Sequence, residues 1–136
     1  MMQQIHKFSR FCYRPWLGLL LIRIAVGLIF IHHGLMKFQN VEGTLGFMGH
    51  LGVPVWLAYL VMIVELVGGA MLVAGVLTRA AAVATGIVAL FAFVLVINPM
   101  KGVAGGELEL LLSAVSFGLA LVGSGKARLL HVFEHD

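Results

Sequence analysis

Arg23 and Glu65 are ionisable side chains set inside long apolar runs, where such residues are costly. On insertion scales a charge at mid-span costs roughly 2.5–3.5 kcal/mol, so each calls for a partner within the membrane. Opposite charges at similar depth on neighbouring antiparallel helices would supply one, and an Arg23–Glu65 pair is the expectation. Helical spacing supports it: Arg23, Gly27, Phe30, Gly34 and Lys37 form one continuous stripe, as do Glu65, Gly68, Gly69, Leu72 and Gly75. Small residues flank both charges, so the two faces could meet closely with the ions between them. A second set falls at the opposite end, where Lys37 closes the first run and Glu107 and Glu109 open the last, a position at which the helix dipole also favours a carboxylate. Lys37–Glu107 is the pair expected there. His32 and His33 diverge by ~100° on a helix, and His33 is the one nearer the Arg23 stripe, able to line an outward-facing cavity. Two roles fit this set: ion pairs that fix helix register, or a polar intramembrane pocket for a head group, a proton or an ion.

The elements that must carry these residues follow from composition. Of 136 residues, 61% are hydrophobic and 11% charged, and the mean hydropathy is +1.06. A soluble domain of this length could not display so much apolar surface, so lipid is the solvent. Four apolar runs, at about 16–36, 55–76, 80–97 and 108–123, each approach the ~20 residues that span a hydrocarbon core. The expected fold is an all-α membrane protein, an antiparallel four-transmembrane-helix bundle. Lys7, Arg10, Arg14, Arg79, Lys126 and Arg128 would lie on one side of it, against Lys37 and Lys101 on the other, which places both termini in the cytoplasm. The same distribution accounts for the net charge of +3 without a nucleic-acid partner.

Three zones are expected: a basic amphipathic cytoplasmic segment over 1–15, the membrane domain over 16–125 and a cytoplasmic tail over 126–136. In the first, Ile5, Phe8 and Cys12 alternate at helical spacing with Lys7, Arg10 and Arg14. The apolar run that follows is too long for a signal sequence and contains Arg23, so it reads as an uncleaved span. Thr44 to Leu51 should form one or two interfacial helical turns before Gly52-Val53-Pro54. Residues 75–79 should make a tight helical hairpin, Asn98-Pro99 should stop the third span, and Gly102, Gly105 and Gly106 should form a mobile loop. Cys12 is the single cysteine, which excludes thiol–disulfide chemistry within one chain and thiolate metal clusters. His131 and His135 stand four apart in the tail, a spacing that two metal ligands can use, but a solvated tail explains them and no metal site is assigned. No phosphate-cradling glycine motif, no paired-histidine zinc motif and no activated nucleophile is present.

The motifs together resemble the DoxX family of small bacterial membrane proteins, over about 17–129. Its carriers are Leu21-Ile22-Arg23-Ile24-Ala25-Val26-Gly27-Leu28-Ile29-Phe30, His33-Gly34-Leu35-Met36-Lys37-Phe38, Leu51-Gly52-Val53-Pro54, Glu65 with Gly68-Gly69, Gly75-Val76-Leu77-Thr78-Arg79, Gly106-Glu107-Leu108 and Gly123-Ser124-Gly125-Lys126. The family pattern matches Arg23 and Lys37 on the first span, Glu65 on the second and a glutamate opening the fourth; Glu107 fits that last position better than Glu109 by its spacing to Gly123. The usual closing glycine–proline–glycine is replaced by Gly123-Ser124-Gly125. The resemblance implies a multi-pass protein of the bacterial inner membrane and suggests an accessory subunit of a membrane redox or oxidative-stress assembly. Quinone is the cofactor it brings into view, since Arg23 and Lys37 can donate to quinone carbonyls. The partners it implies are the bilayer and either a redox protein or further copies of the chain. Two other readings use the same residues: a small transport or binding protein for a proton, metal or solute, and an oligomeric scaffold.

Overall fold

The computed structural model describes residues 1–126, with the backbone alone over 96–101; the tail histidines His131 and His135 lie outside the described residues. The described chain is helical and contains no strand. Helix α1 (Met2–Cys12) is followed after a two-residue break by α2 (Pro15–Gln39), which Pro15 opens at a position where its missing N–H is no loss. Then come α3 (Val41–His50), α4 (Val55–Ala74) and α5 (Thr78–Ala92), which runs on as a π-helical turn (Phe93–Ile97). Helices α6 (Asn98–Gly105) and α7 (Glu107–Val122) complete the described fold.

Among the described residues, three segments are long and apolar enough to cross a membrane: Pro15–Gln39, Val55–Ala74 and Thr78–Leu95. Helix α7 has 16 residues, so it extends ~24 Å, somewhat less than a ~30 Å hydrocarbon core. Polarity is distributed as lipid requires. Leu21, Leu28, Leu35, Ile63, Val67, Ile87, Leu111 and Leu121 are exposed, whereas Arg23, Glu65, Thr85, Ser113 and Ser116 are buried. In water such an arrangement would leave the apolar surface unsatisfied; in lipid it puts the polar groups where they can find partners.

Packing joins α2 to α4 and α5 to α7 most extensively, with α4 resting on α5 and α2 touching α7 more lightly. The α2–α4 contact is backbone to backbone. A Cβ on Gly27 would lie 2.7 Å from the Gly69 carbonyl oxygen, one on Gly69 would lie 2.7 Å from that of Gly27, and one on Gly34 would lie 2.9 Å from the Leu66 nitrogen. These two glycine stripes pack as their spacing implies, and they run antiparallel. On the other side, the Ser113 hydroxyl of α7 donates to the Gly86 carbonyl of α5, at 3.2 Å.

Two connections differ from the sequence-based expectation. The linker after the first span folds into a full ten-residue helix, α3, because Asn40 caps it: its Oδ1 accepts from the Gly43 N–H at 3.0 Å. Asn98-Pro99 does not end the helical course. Pro99 lacks an N–H for the carbonyl four residues back, and the π-helical turn that directly precedes α6 absorbs the mismatch. The break falls instead at Gly102, whose φ of 72° interrupts α6.

The expected tight hairpin between α4 and α5 is present, with Gly75 as a left-handed cap at φ 74° and Leu77 also left-handed at φ 45°. For a leucine that conformation costs roughly 1–2 kcal/mol, and Leu77 is exposed with little packing to lose. Leu77→Gly should therefore raise stability by about 1 kcal/mol after the extra unfolded-state entropy of glycine is subtracted. Thermal unfolding in nanodiscs would register this as a higher midpoint, and a lower one would show that the turn is held by the leucine side chain.

Candidate functional site

Antiparallel glycine contacts decide which charges can meet. With Gly27 against Gly69 and Val73, and Gly34 against Leu66, Glu65 stands level with the last turns of α2. Arg23 lies about eleven residues away along that helix, or ~16 Å. Glu65 therefore pairs with Lys37, whose Nζ stands 2.5 Å from the Glu65 Oε2. The Glu65 side chain is 5% exposed and that of Lys37 27%. The expected Arg23–Glu65 pair does not form, nor does the expected Lys37–Glu107 pair.

Arg23 serves the opposite end of the bundle. It is buried, and its Nη1 donates to the Ser124 carbonyl at 2.6 Å. Ser124 follows Gly123, the residue that ends α7. Its carbonyl lies just past the helix, close to the partial negative charge at the C-terminus of α7, where a guanidinium is well matched. The arginine thus ties the start of α2 to the end of α7 across 101 positions of sequence.

Around the Lys37–Glu65 pair lies a cavity of about 490 Å³. Helix α2 contributes Phe30, His33 and Lys37, and α4 contributes Val61 and Glu65. Ala89 comes from α5, and Glu109 and Leu112 come from α7. One wall comes from α3 and its cap, through Asn40, Thr44, Phe47 and Met48. Of the six residues singled out in the sequence, His33, Lys37, Glu65 and Glu109 converge here, while Arg23 and Glu107 do not. Of the acidic doublet, Glu107 is exposed and Glu109 is half-buried in the cavity wall. Two positions on a helix differ by ~200°, so only one of the two can face inward. His32 is exposed, its ring 6.2 Å from that of His33 and turned by 47°.

The contribution of α3 was missed in the sequence reading. Asn40 was its available signal, since a capping residue three positions before Gly43 marks a helix start and hence a rigid wall. A Cβ on Gly43 would sit 2.4 Å from the Asn40 Nδ2, so a larger residue there would make the cap side chain shift.

Chemically, the cavity offers an apolar bed with a few convergent polar groups, as small-molecule sites commonly do. Its volume also falls within the usual range of such sites, roughly 300–1,000 Å³. The Lys37 ammonium carries three protons, and its partly exposed position leaves it able to donate into the cavity as well as to Glu65. His33 and Asn40 can donate or accept, and Glu109 can accept.

The DoxX family model matches residues 18–98, a stretch that carries Arg23, His33, Lys37 and Glu65 and ends before α7. The chain is 38% identical over 108 residues to a Bacillus subtilis (strain 168) protein named "Putative oxidoreductase CatD", covering 79% of this chain and 81% of that one. It is 37% identical over 87 residues to "Inner membrane protein YqjF" of Escherichia coli (strain K12), covering 63% of this chain and 67% of that protein. No solved structure matches. With more than half of its length matched by the family model, and with three helices among the described residues long and apolar enough to cross a membrane, the chain is a membrane protein that belongs to the DoxX family.

Proposed function

We propose that the chain is an accessory subunit of a redox assembly in the bacterial inner membrane, and that the cavity beside Lys37 and Glu65 receives a quinone-type head group. The observation that carries this reading is the cavity itself: an apolar chamber within the helices with a cation, two carboxylates and an imidazole on its walls. The residues fit the group. Phe30, Phe47, Met48 and Leu112 offer apolar surface to a flat ring, and Lys37, His33 and Asn40 supply donors for carbonyl oxygens. A bound quinone would supply two-electron chemistry; the chain's own residues would bind and orient it and keep bulk water away. The name of the Bacillus subtilis relative is in keeping with a redox setting.

In this reading α7 is the fourth membrane span, the bundle is antiparallel, and both termini face the cytoplasm. The cation distribution supports that orientation, and the bond from Arg23 to Ser124 supports it by bringing the start of α2 and the end of α7 to one level. Single cysteines near Gln3, Arg79 and Lys126 should be modified only from the cytoplasmic side, and one at Gly46, where a Cβ meets nothing within 4 Å, only from the other side, all on a Cys12→Ser background. An outward-facing Lys126 would mean an odd number of spans.

Purification of the full chain in native lipid, followed by extraction and mass spectrometry, tests the ligand. Quinone should co-purify with the parent protein and fall at least ten-fold in Lys37→Met, which corresponds to about 1.4 kcal/mol of lost binding. Absence of quinone from the parent, together with solute uptake by proteoliposomes that Lys37→Met abolishes, would replace this reading with a transport function.

A further inference from the structure

Helix α1 stands apart from the packed helices. None of its residues is buried against the rest of the protein, and it precedes residue 18, where the family match begins. Its charge is nevertheless confined to one face. At ~100° per residue, Met2, Ile5, Phe8, Phe11 and Cys12 occupy one half of the circumference with the uncharged Gln4 and Ser9 among them, and His6, Lys7 and Arg10 cluster on the other. The apolar half is exposed along its length. Beyond the helix, the Arg14 guanidinium sits over the Phe11 ring at 5.8 Å, which adds a third fixed cation at the junction with α2.

We propose that α1 is an anionic-lipid-binding helix that lies in the headgroup layer beside the start of the first span. Two observations select this occupant over others. Only Tyr13 and Arg14 separate α1 from the membrane-crossing helix α2, so the bilayer surface is the nearest apolar boundary that the exposed face can reach. The opposite face is cationic without a single acidic residue, since the first carboxylate of the chain is Glu42. Lipid phosphates of net negative charge complement that face, whereas zwitterionic headgroups provide only the apolar contribution. Each cation contributes about a five-fold factor to the bound population near an anionic surface, and two together contribute roughly 25-fold.

The native Cys12, central on the apolar face, makes the test direct. The full chain carrying a nitroxide on Cys12 is reconstituted in nanodiscs of phosphatidylcholine alone or with phosphatidylglycerol, and collisions with oxygen are compared with collisions with a water-soluble nickel chelate. In anionic discs the Cys12 label should be reached by oxygen and shielded from nickel, and a label on Gln3→Cys in a Cys12→Ser background should show the reverse. Lys7→Gln with Arg10→Gln should lower the docked-to-free ratio roughly 25-fold in anionic discs and leave it unchanged in phosphatidylcholine. Equal shielding in both lipids, or no response to the double substitution, would overturn the proposal. So would nickel shielding that persists in detergent together with Cys12–Cys12 cross-linking, which would assign the face to a second copy.

Discussion

Lys37→Met and Glu65→Gln should each destabilise the bundle substantially, and the two together should cost much less than their sum. Removing the lysine leaves a buried carboxylate with no cation, and removing the carboxylate charge leaves an ammonium half-exposed over an apolar chamber. Breaking one partner of a buried pair costs roughly 3–5 kcal/mol, and the partial exposure of Lys37 brings the expected loss to about 2–4 kcal/mol. The double substitution relieves the desolvation of both ions, so the coupling between the two sites should be at least ~2 kcal/mol. A cycle of Arg23→Gln with Glu65→Gln should show additivity within about 0.5 kcal/mol, since sites more than ~10 Å apart without shared partners rarely couple. Chemical unfolding of the single and double variants in nanodiscs provides all of these values. Strong coupling of Glu65 to Arg23 instead of Lys37 would mean that α2 and α4 pack in a different register.

The second large effect belongs to the glycine contact that sets this register. Gly27→Ala and Gly69→Ala should each cost about 2–3 kcal/mol, at the upper end of what overpacking usually does. Beside the Val73 Cγ2 at 2.7 Å from a Cβ on Gly27, the atoms in the way are backbone carbonyl and amide atoms of the facing helix, at 2.7–3.0 Å from the added carbon, and these cannot turn aside as a side-chain end can. The two alanines together should cost less than their sum, because separating the helices to relieve one clash relieves the other. Gly46→Ala and Gly118→Ala make the contrast. A Cβ at either position meets nothing within 4 Å, so helix propensity alone applies and stability should stay level or rise by up to ~1 kcal/mol. Comparable losses at all four glycines would show that the effect is general to glycine and not to close approach. Because Lys37 lies on the same stripe, Gly27→Ala should also weaken its coupling to Glu65, a further readout of the same cycle.

Much of the fold was legible because its causes are local. An apolar run of about twenty residues must be a helix in lipid, where every backbone N–H and C=O needs an internal partner. The stripes through Gly27 and Gly34 and through Gly68 and Gly69 follow from a 3.6-residue period, and the structure buries both. The convergence of Lys37, Glu65 and His33 could be anticipated only as membership of one neighbourhood. Pairing Arg23 with Glu65 at similar depth assumes that α2 and α4 are equal and centred on one another. They are 25 and 20 residues long, and the midpoints do not coincide.

By itself, then, the sequence determined that this is a helical membrane protein, where its first three long apolar helices lie, which faces turn inward, and that charges are buried among them. Tertiary structure decided which charges meet. A carbonyl-to-glycine fit between residues some forty positions apart set α4 against α2 so that Glu65 reaches Lys37, and it left Arg23 at the far end to hold the Ser124 carbonyl. The rotation of α7 against α5, fixed in part by the Ser113 hydroxyl on the Gly86 carbonyl, turned Glu109 inward and Glu107 outward. The placement of α3 supplied one wall of a cavity that none of its residues encodes alone. The physical reason is common to all three. Helix periodicity acts over four residues and can be read along the chain, whereas register and rotation depend on steric fit between surfaces that only folding brings together.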